Sequence, residues 1–143
     1  MIRTAKAYAP GEAEGLALVL VQELSFWGGV EVDTGNIIDH SHPDLGRNVA
    51  GRILVMPSGR GSSSSSSVLA EAIRLGTAPV GIVLARPDPI LTVASLVAQS
   101  LYGVRCPVVV CVIDGFATGD RLRISAAGTG MAQVEVLAPP MRD

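Results

Sequence analysis

The sequence predicts an α/β domain, a small mixed or parallel sheet with additional antiparallel strands at its two ends. Three observations carry this. Apolar runs rich in β-branched residues at 80–85 and 108–113 read as buried strands. Helical periodicity fills the stretch before each of them, and parallel neighbours need such crossovers. Hydrophobic residues make up 48% of the chain but aromatics only 3%, so the core must be built from Val, Leu, Ile and Ala. At 143 residues without an evident linker or internal repeat, one domain is expected.

Taken in order, residues 3–8 and 16–23 are short strand candidates, separated by turn-forming Pro10, Gly11 and Gly15. Residues 26–48 are rich in Gly, Asp, Asn and His with few periodic apolar positions, which marks a long surface connection of functional or interfacial use. A strand at 49–56 runs into the serine tract. Val68, Leu69, Ala72, Ile73 and Leu75 then suit one face of a helix, which Gly76 ends with Pro79 just beyond. After the strand at 80–85, Asp88 and Pro89 open a second helix over 90–101. Beyond the strand at 108–113, residues 120–125 and 131–137 form a strand pair joined by a Gly-rich turn.

A net charge of −2 with interspersed signs offers neither a nucleic-acid footprint nor a basic membrane face. The opening segment lacks the apolar stretch of a signal peptide, and no run approaches the roughly 18 residues of a membrane span. A cytoplasmic protein is expected, without nucleic-acid or membrane partners. Cys106 and Cys111 lie on one strand, five residues and about 16 Å apart with side chains on opposite faces. They are read as ordinary buried thiols that cannot share a metal.

Six consecutive serines, Ser62 to Ser67, would be flexible coil in isolation. Here they sit between a strand and a well-patterned helix, which a crossover must hold together. Serine is a favoured helix N-cap, and the first turn exposes unpaired N–H groups at the positive end of the dipole. Gly59 and Gly61 allow a tight turn and Arg60 adds a planar cation, so the loop is expected to cradle a carboxylate or phosphate. It is not a P-loop, since no lysine follows the glycines, and G-x-S-x-G is absent.

The segment from Phe26 to Ile90 resembles the small, swivelling subunit of aconitase X. The likeness extends over nearly the whole chain and rests on elements in a fixed order: Gly28-Gly29, T-G-N-I-I-D at 34–39, His42-Pro43, G-R-I-L-V-M-P at 51–57, G-R-G-S at 59–62 and Ala78-Pro79. The resemblance implies the swivelling β/β/α domain of the aconitase superfamily's small domain, spanning 1–143 as one unit. It implies a dehydratase active only with its large subunit, which carries the iron or iron–sulfur cluster; this chain alone is expected to bind no cofactor. Two substrate classes follow from it, cis-3-hydroxy-L-proline and mevalonate 5-phosphate, as does a non-catalytic swivel module. The serine run and Arg60, where lysine is frequent in the phosphomevalonate group, favour the small carboxylate, cis-3-hydroxy-L-proline.

Carried over to this chain, the family's catalytic serine falls on Ser62 as proton acceptor, with Ser58, Gly59, Arg60, Gly61, Ser63, Ser64 and His42 against the substrate. His42, with His40 in a D-H-S-H-P-D loop, is implied to face the cleft or the large subunit rather than a metal. Phe26 and Trp27 precede Gly28 and Gly29, and Trp27, in a chain with so few aromatics, is open to a core or an interface role. Arg86 and Asp88, just past a strand end, are expected to form a surface ion pair.

Overall fold

The computed structural model describes residues 1–128 and 130–140. Among the described residues, seven strands and two helices follow one another as β1 (Ile2–Ala9), β2 (Gly11–Val19), β3 (Ile53–Met56), α1 (Ser64–Leu75), β4 (Gly81–Leu84), α2 (Pro89–Tyr102), β5 (Val108–Val110), β6 (Arg121–Ala126) and β7 (Gly130–Ala138). The strands close into a barrel in the order β1-β5-β4-β3-β2-β6-β7. Strands β2, β3, β4 and β5 run parallel to one another, while β1, β6 and β7 join antiparallel. The expected mixed α/β sheet is present, but its antiparallel strands join up instead of forming two free ends.

Closure follows from β1, which pairs with β5 on one side and β7 on the other. Small residues make the tight interior possible: Ala5, Ala7, Ala17, Ala126 and Ala132 pack there with Ile53, Val55, Val83, Leu122, Ile124 and Val134. At Gly81 an added Cβ would sit 2.7 Å from Ile124 Cδ1 and 3.3 Å from both Ala13 Cβ and Ile53 Cδ1, so the interior is closely filled at this point. A second core lies outside the barrel, beneath the helices, where Leu54, Met56, Ile82 and Leu84 meet Leu69, Ile73, Leu91 and Phe26. Successive residues of β3 and β4 thus serve alternate cores, which is why every one of them is buried.

Local signals set both helices. Asp88 caps α2 by accepting from the N–H groups of Ile90 (2.9 Å) and Leu91 (3.2 Å), with Pro89 in the first helical position. Gly76 ends α1 in the left-handed conformation at φ +81°. Four elements differ from expectation by more than one residue. Strand β3 begins at Ile53 rather than Val49, and β5 ends at Val110 rather than Ile113. Helix α1 begins at Ser64 rather than Val68, because the serines themselves enter the helix. Strand β2 occupies Gly11–Val19 rather than 16–23, with Gly15 inside it. That glycine makes no turn; an added Cβ would lie 2.9 Å from the Gly51 carbonyl oxygen.

The connection between β2 and β3 is ordered rather than loose. Phe26, Val30, Ile37 and Val49 bury into the outer core, and Asn48 Nδ2 donates to Thr34 O and Asn36 Oδ1, both at 2.8 Å. Cys106 belongs to the outer core and Cys111 packs against the barrel interior, on opposite faces as expected. Burial pushes the Cys106 thiol up to about 12. Cys111 is only half-buried, in contrast to the expectation for it, and desolvation raises its thiol as well. Among the described residues no helix is long and apolar enough to cross a membrane.

Candidate functional site

Because β2, β3 and β4 are parallel, their carboxyl ends open on one edge of the barrel, the edge at which open α/β layers place ligands. Three segments leave there: 20–27 after β2, 57–63 after β3 and 85–88 after β4. The β3 segment is held against the β2 segment by a parallel bridge between Leu24 and Gly59 and by Arg60 N–H donating to Leu24 O at 3.2 Å. A crevice of only about 10 Å³ is lined by Leu24, Phe26, Gly59, Arg60, Ser62 and Ser65, with Asp88, Ile90 and Leu91 opposite. A wider hollow of about 410 Å³ lies beside it, between Val21, Gln22, Glu23, Pro57, Arg60 and Arg86.

Ser62 is exposed at this edge. Its Oγ accepts from the Ser64 N–H at 3.0 Å and its carbonyl accepts from the Ser65 N–H at 3.0 Å, so Ser62 performs the capping of α1. Ser63 has helical φ and ψ and makes no side-chain cap bond. The hydroxyl of Ser62 is therefore fixed at the positive end of a three-turn helix whose first turn contains no acidic residue.

The two glycines serve different ends. Gly61, at φ +102°, turns the chain into the helix in a conformation that favours glycine. Gly59 is needed for space: a Cβ there would overlap Asp88 Oδ2 and come to 3.0 Å from Leu91 Cδ1. The close approach expected of it is thus made to the neighbouring strand's loop rather than shown for a ligand.

Ser65 is buried, with its Oγ accepting from the Trp27 N–H at 3.1 Å and lying 3.1 Å from Ser25 Oγ. This ties the first turn of α1 to the β2 segment. Phe26 accordingly fills the core, while Trp27 beside it is 59% exposed on the rim.

Arg86 pairs with Glu23 at 2.7 Å and donates to Ser58 Oγ at 3.2 Å. This replaces the expected Arg86–Asp88 pair: Asp88 is committed to capping α2, and the 20–27 segment brings Glu23 across instead. Arg60 is exposed and has no ion-pair partner among the described residues. Its charge is close enough to help hold the Asp39 carboxyl below the usual range, after the larger effects of the Ser41 hydroxyl and N–H.

Of the residues singled out, Ser58, Gly59, Arg60, Gly61, Ser62, Ser63 and Ser64 form one continuous stretch of this edge. His42 differs. Its side chain is fully buried, Nε2 lies 3.2 Å from Gln22 O, and Nδ1 accepts from the Asp44 N–H at 3.0 Å. Both ring nitrogens are occupied by the chain itself, so the histidine fastens the 39–47 loop to the rim and offers no atom to a substrate. Glu23, Ser25 and Ser65 were not legible as site residues. Only their contacts across the fold mark them.

Residues 2–134 match the aconitase X swivel domain. The chain is 43% identical over 135 residues to the cis-3-hydroxy-L-proline dehydratase of Hypocrea jecorina, covering 94% of this chain and 23% of that protein. It is 49% identical over 90 residues to the phosphomevalonate dehydratase small subunit of Methanopyrus kandleri, covering 63% of this chain and 65% of that one. The crystal structure of Thermococcus kodakaraensis aconitase X in its holo-form matches with a TM-score of 0.82 at 29% identity, over 94% of this chain and 98% of that chain. The chain thus spans about a quarter of the first relative and just under two thirds of the second.

Proposed function

We propose that this chain, which belongs to the aconitase X swivel domain family, acts as the small subunit of a hydro-lyase that dehydrates cis-3-hydroxy-L-proline to a pyrroline-2-carboxylate, with Ser62 as proton acceptor. The observation that carries the reading is the placement of the Ser62 hydroxyl: exposed, at the carboxyl edge of the parallel strands, and fixed by the first turn of α1. Loss of the proton beside the carboxylate together with the 3-hydroxyl, as water, gives the product. Ser62 takes that proton as an alkoxide, its own hydroxyl proton having first passed to solvent water, to which Ser62 is exposed. The Ser64 N–H, the positive end of α1 and the Arg60 guanidinium at the same crevice stabilise the resulting alkoxide.

The reading places an iron or iron–sulfur centre on the large subunit. The residues of this chain do not fit one: among the described residues no three His, Cys, Asp or Glu side chains converge. Cys106 and Cys111 pack into separate cores. No step at the departing hydroxyl is assigned to this chain.

Two features support hydroxyproline. The match to the hydroxyproline dehydratase runs through 94% of this chain, against 85% for the phosphomevalonate dehydratase small subunit of Archaeoglobus fulgidus and 63% for that of Methanopyrus kandleri. The guanidiniums of Arg60 and Arg86 stand among three carboxylates, Glu23, Asp39 and Asp88, so this edge has no surplus of positive charge for a phosphate dianion. The phosphomevalonate reading has the higher local identity, 49%, in its favour. Assaying the chain with its large subunit against both compounds decides between them. Turnover of cis-3-hydroxy-L-proline and none of mevalonate 5-phosphate is expected; the reverse assigns the second reading, and neither would leave a non-catalytic module.

A further inference from the structure

Helix α2 is turned inside out with respect to size. Its buried positions are Leu91, Ala94, Ser95 and Ala98, mostly small, whereas the larger Val93, Leu96, Val97 and Leu101 face outward. Leu101 is 67% exposed and Val93 49%. From Pro89 to Val104 the sequence has no charged residue. A surface helix ordinarily shows the opposite arrangement, polar out and large apolar in. An apolar stripe of this kind marks a contact surface.

We propose that the outward face of α2 and the groove between α1 and α2 form a docking surface for the large catalytic body of aconitase X; this rests on the small-subunit reading above. One observation chooses that occupant over a second copy of the chain. The stripe is continuous with the candidate site. The groove, about 320 Å³, is lined by Ser66, Ser67, Ala70 and Glu71 of α1 and by Val93, Ala94, Val97 and Tyr102 of α2. Ser66 and Ser67 belong to the same serine run as Ser62, about one helical turn or ~6 Å further along. A body that roofs Ser62 reaches the groove without leaving the surface, and the stripe extends its contact away from the chemistry.

The test is a titration of the V97E/L101E variant against the purified aconitase X large subunit, with wild-type chain in parallel. Both positions are exposed and glutamate suits a helix, so the variant should keep its circular dichroism spectrum and melting temperature. Its affinity for the large subunit should fall at least ~30-fold, the scale of losing a hot-spot contact. The uncharged L96Q/L101Q variant carries the same test with a smaller perturbation and should lose affinity in the same direction. Wild-type affinity in both folded variants overturns the docking surface while leaving the dehydratase reading standing. Variants that keep this affinity but lose a homodimer on sedimentation overturn it too, and give the face to a second copy. A wild-type chain that does not bind the large subunit overturns both readings together.

Discussion

Replacing Ser62 with alanine is expected to lower the turnover of the assembled enzyme by ~10²–10⁴-fold, the range that a positioned proton-transfer group contributes. The substitution also removes the acceptor for the Ser64 N–H, a capping loss of ~1 kcal/mol. These two consequences can be separated. Ser62→Gly sacrifices the hydroxyl but costs only a few tenths of a kcal/mol as a cap, so it should be as inactive as the alanine variant and nearly as stable as wild type. Ser62→Thr is the conservative counterpart: it keeps a hydroxyl and a capping oxygen, so it should retain more turnover than either. Steady-state kinetics of the three variants with the large subunit check this. Near-normal turnover in Ser62→Gly would remove Ser62 from the reaction.

The second large effect is expected at Gly59. An added methyl cannot share space with Asp88 Oδ2, and Leu91 Cδ1 blocks the other side at 3.0 Å. One of two things must move. If Asp88 yields, α2 loses the cap that Ile90 and Leu91 make with it. If the loop yields, Gly59 leaves its bridge with Leu24, Arg60 loses its bond to the Leu24 carbonyl, and Ser62 shifts with them. Overpacking of this kind costs typically ~1–3 kcal/mol, and displacing the hydroxyl by about 1 Å would cost ~10²-fold in rate. Urea denaturation and kcat/KM on Gly59→Ala should therefore both fall. The double variant G59A/D88S, which shortens the clashing side chain while retaining a capping hydroxyl, should recover part of each. No recovery would mean that the loop is held by something other than the Asp88 contact.

Much of this was legible because it is local. Asp88-Pro89 opens α2 and Gly76 closes α1, and both signals act within a few residues of where they stand in the chain. The serine run was legible as a helix entrance rather than a linker because it lies between a strand and a patterned helix, although its cap is Ser62 and the helix already includes Ser64. Barrel closure was not legible. It depends on β1 finding β5 and β7, partners more than a hundred residues away in the chain, and strand periodicity does not encode the order of neighbours. The same distance hid the Arg86–Glu23 pair, whose partners are 63 residues apart. Histidine 42 shows the converse: a motif position in a polar loop suggested a cleft-facing ring, but tertiary contacts bury it and use both its nitrogens. Glycine 59 was read as allowing close approach of a ligand, whereas the close neighbour in the fold is Asp88, 29 residues further along the chain.

The most direct measurement is a crystal structure of the chain bound to its large subunit with a substrate analogue in place. In that complex Ser62 Oγ, still held by the Ser64 N–H, should lie about 3 Å from the carbon that loses its proton, with Arg60 at the same opening. A complex in which Ser62 faces bulk solvent, and another group stands at that carbon, would contradict it.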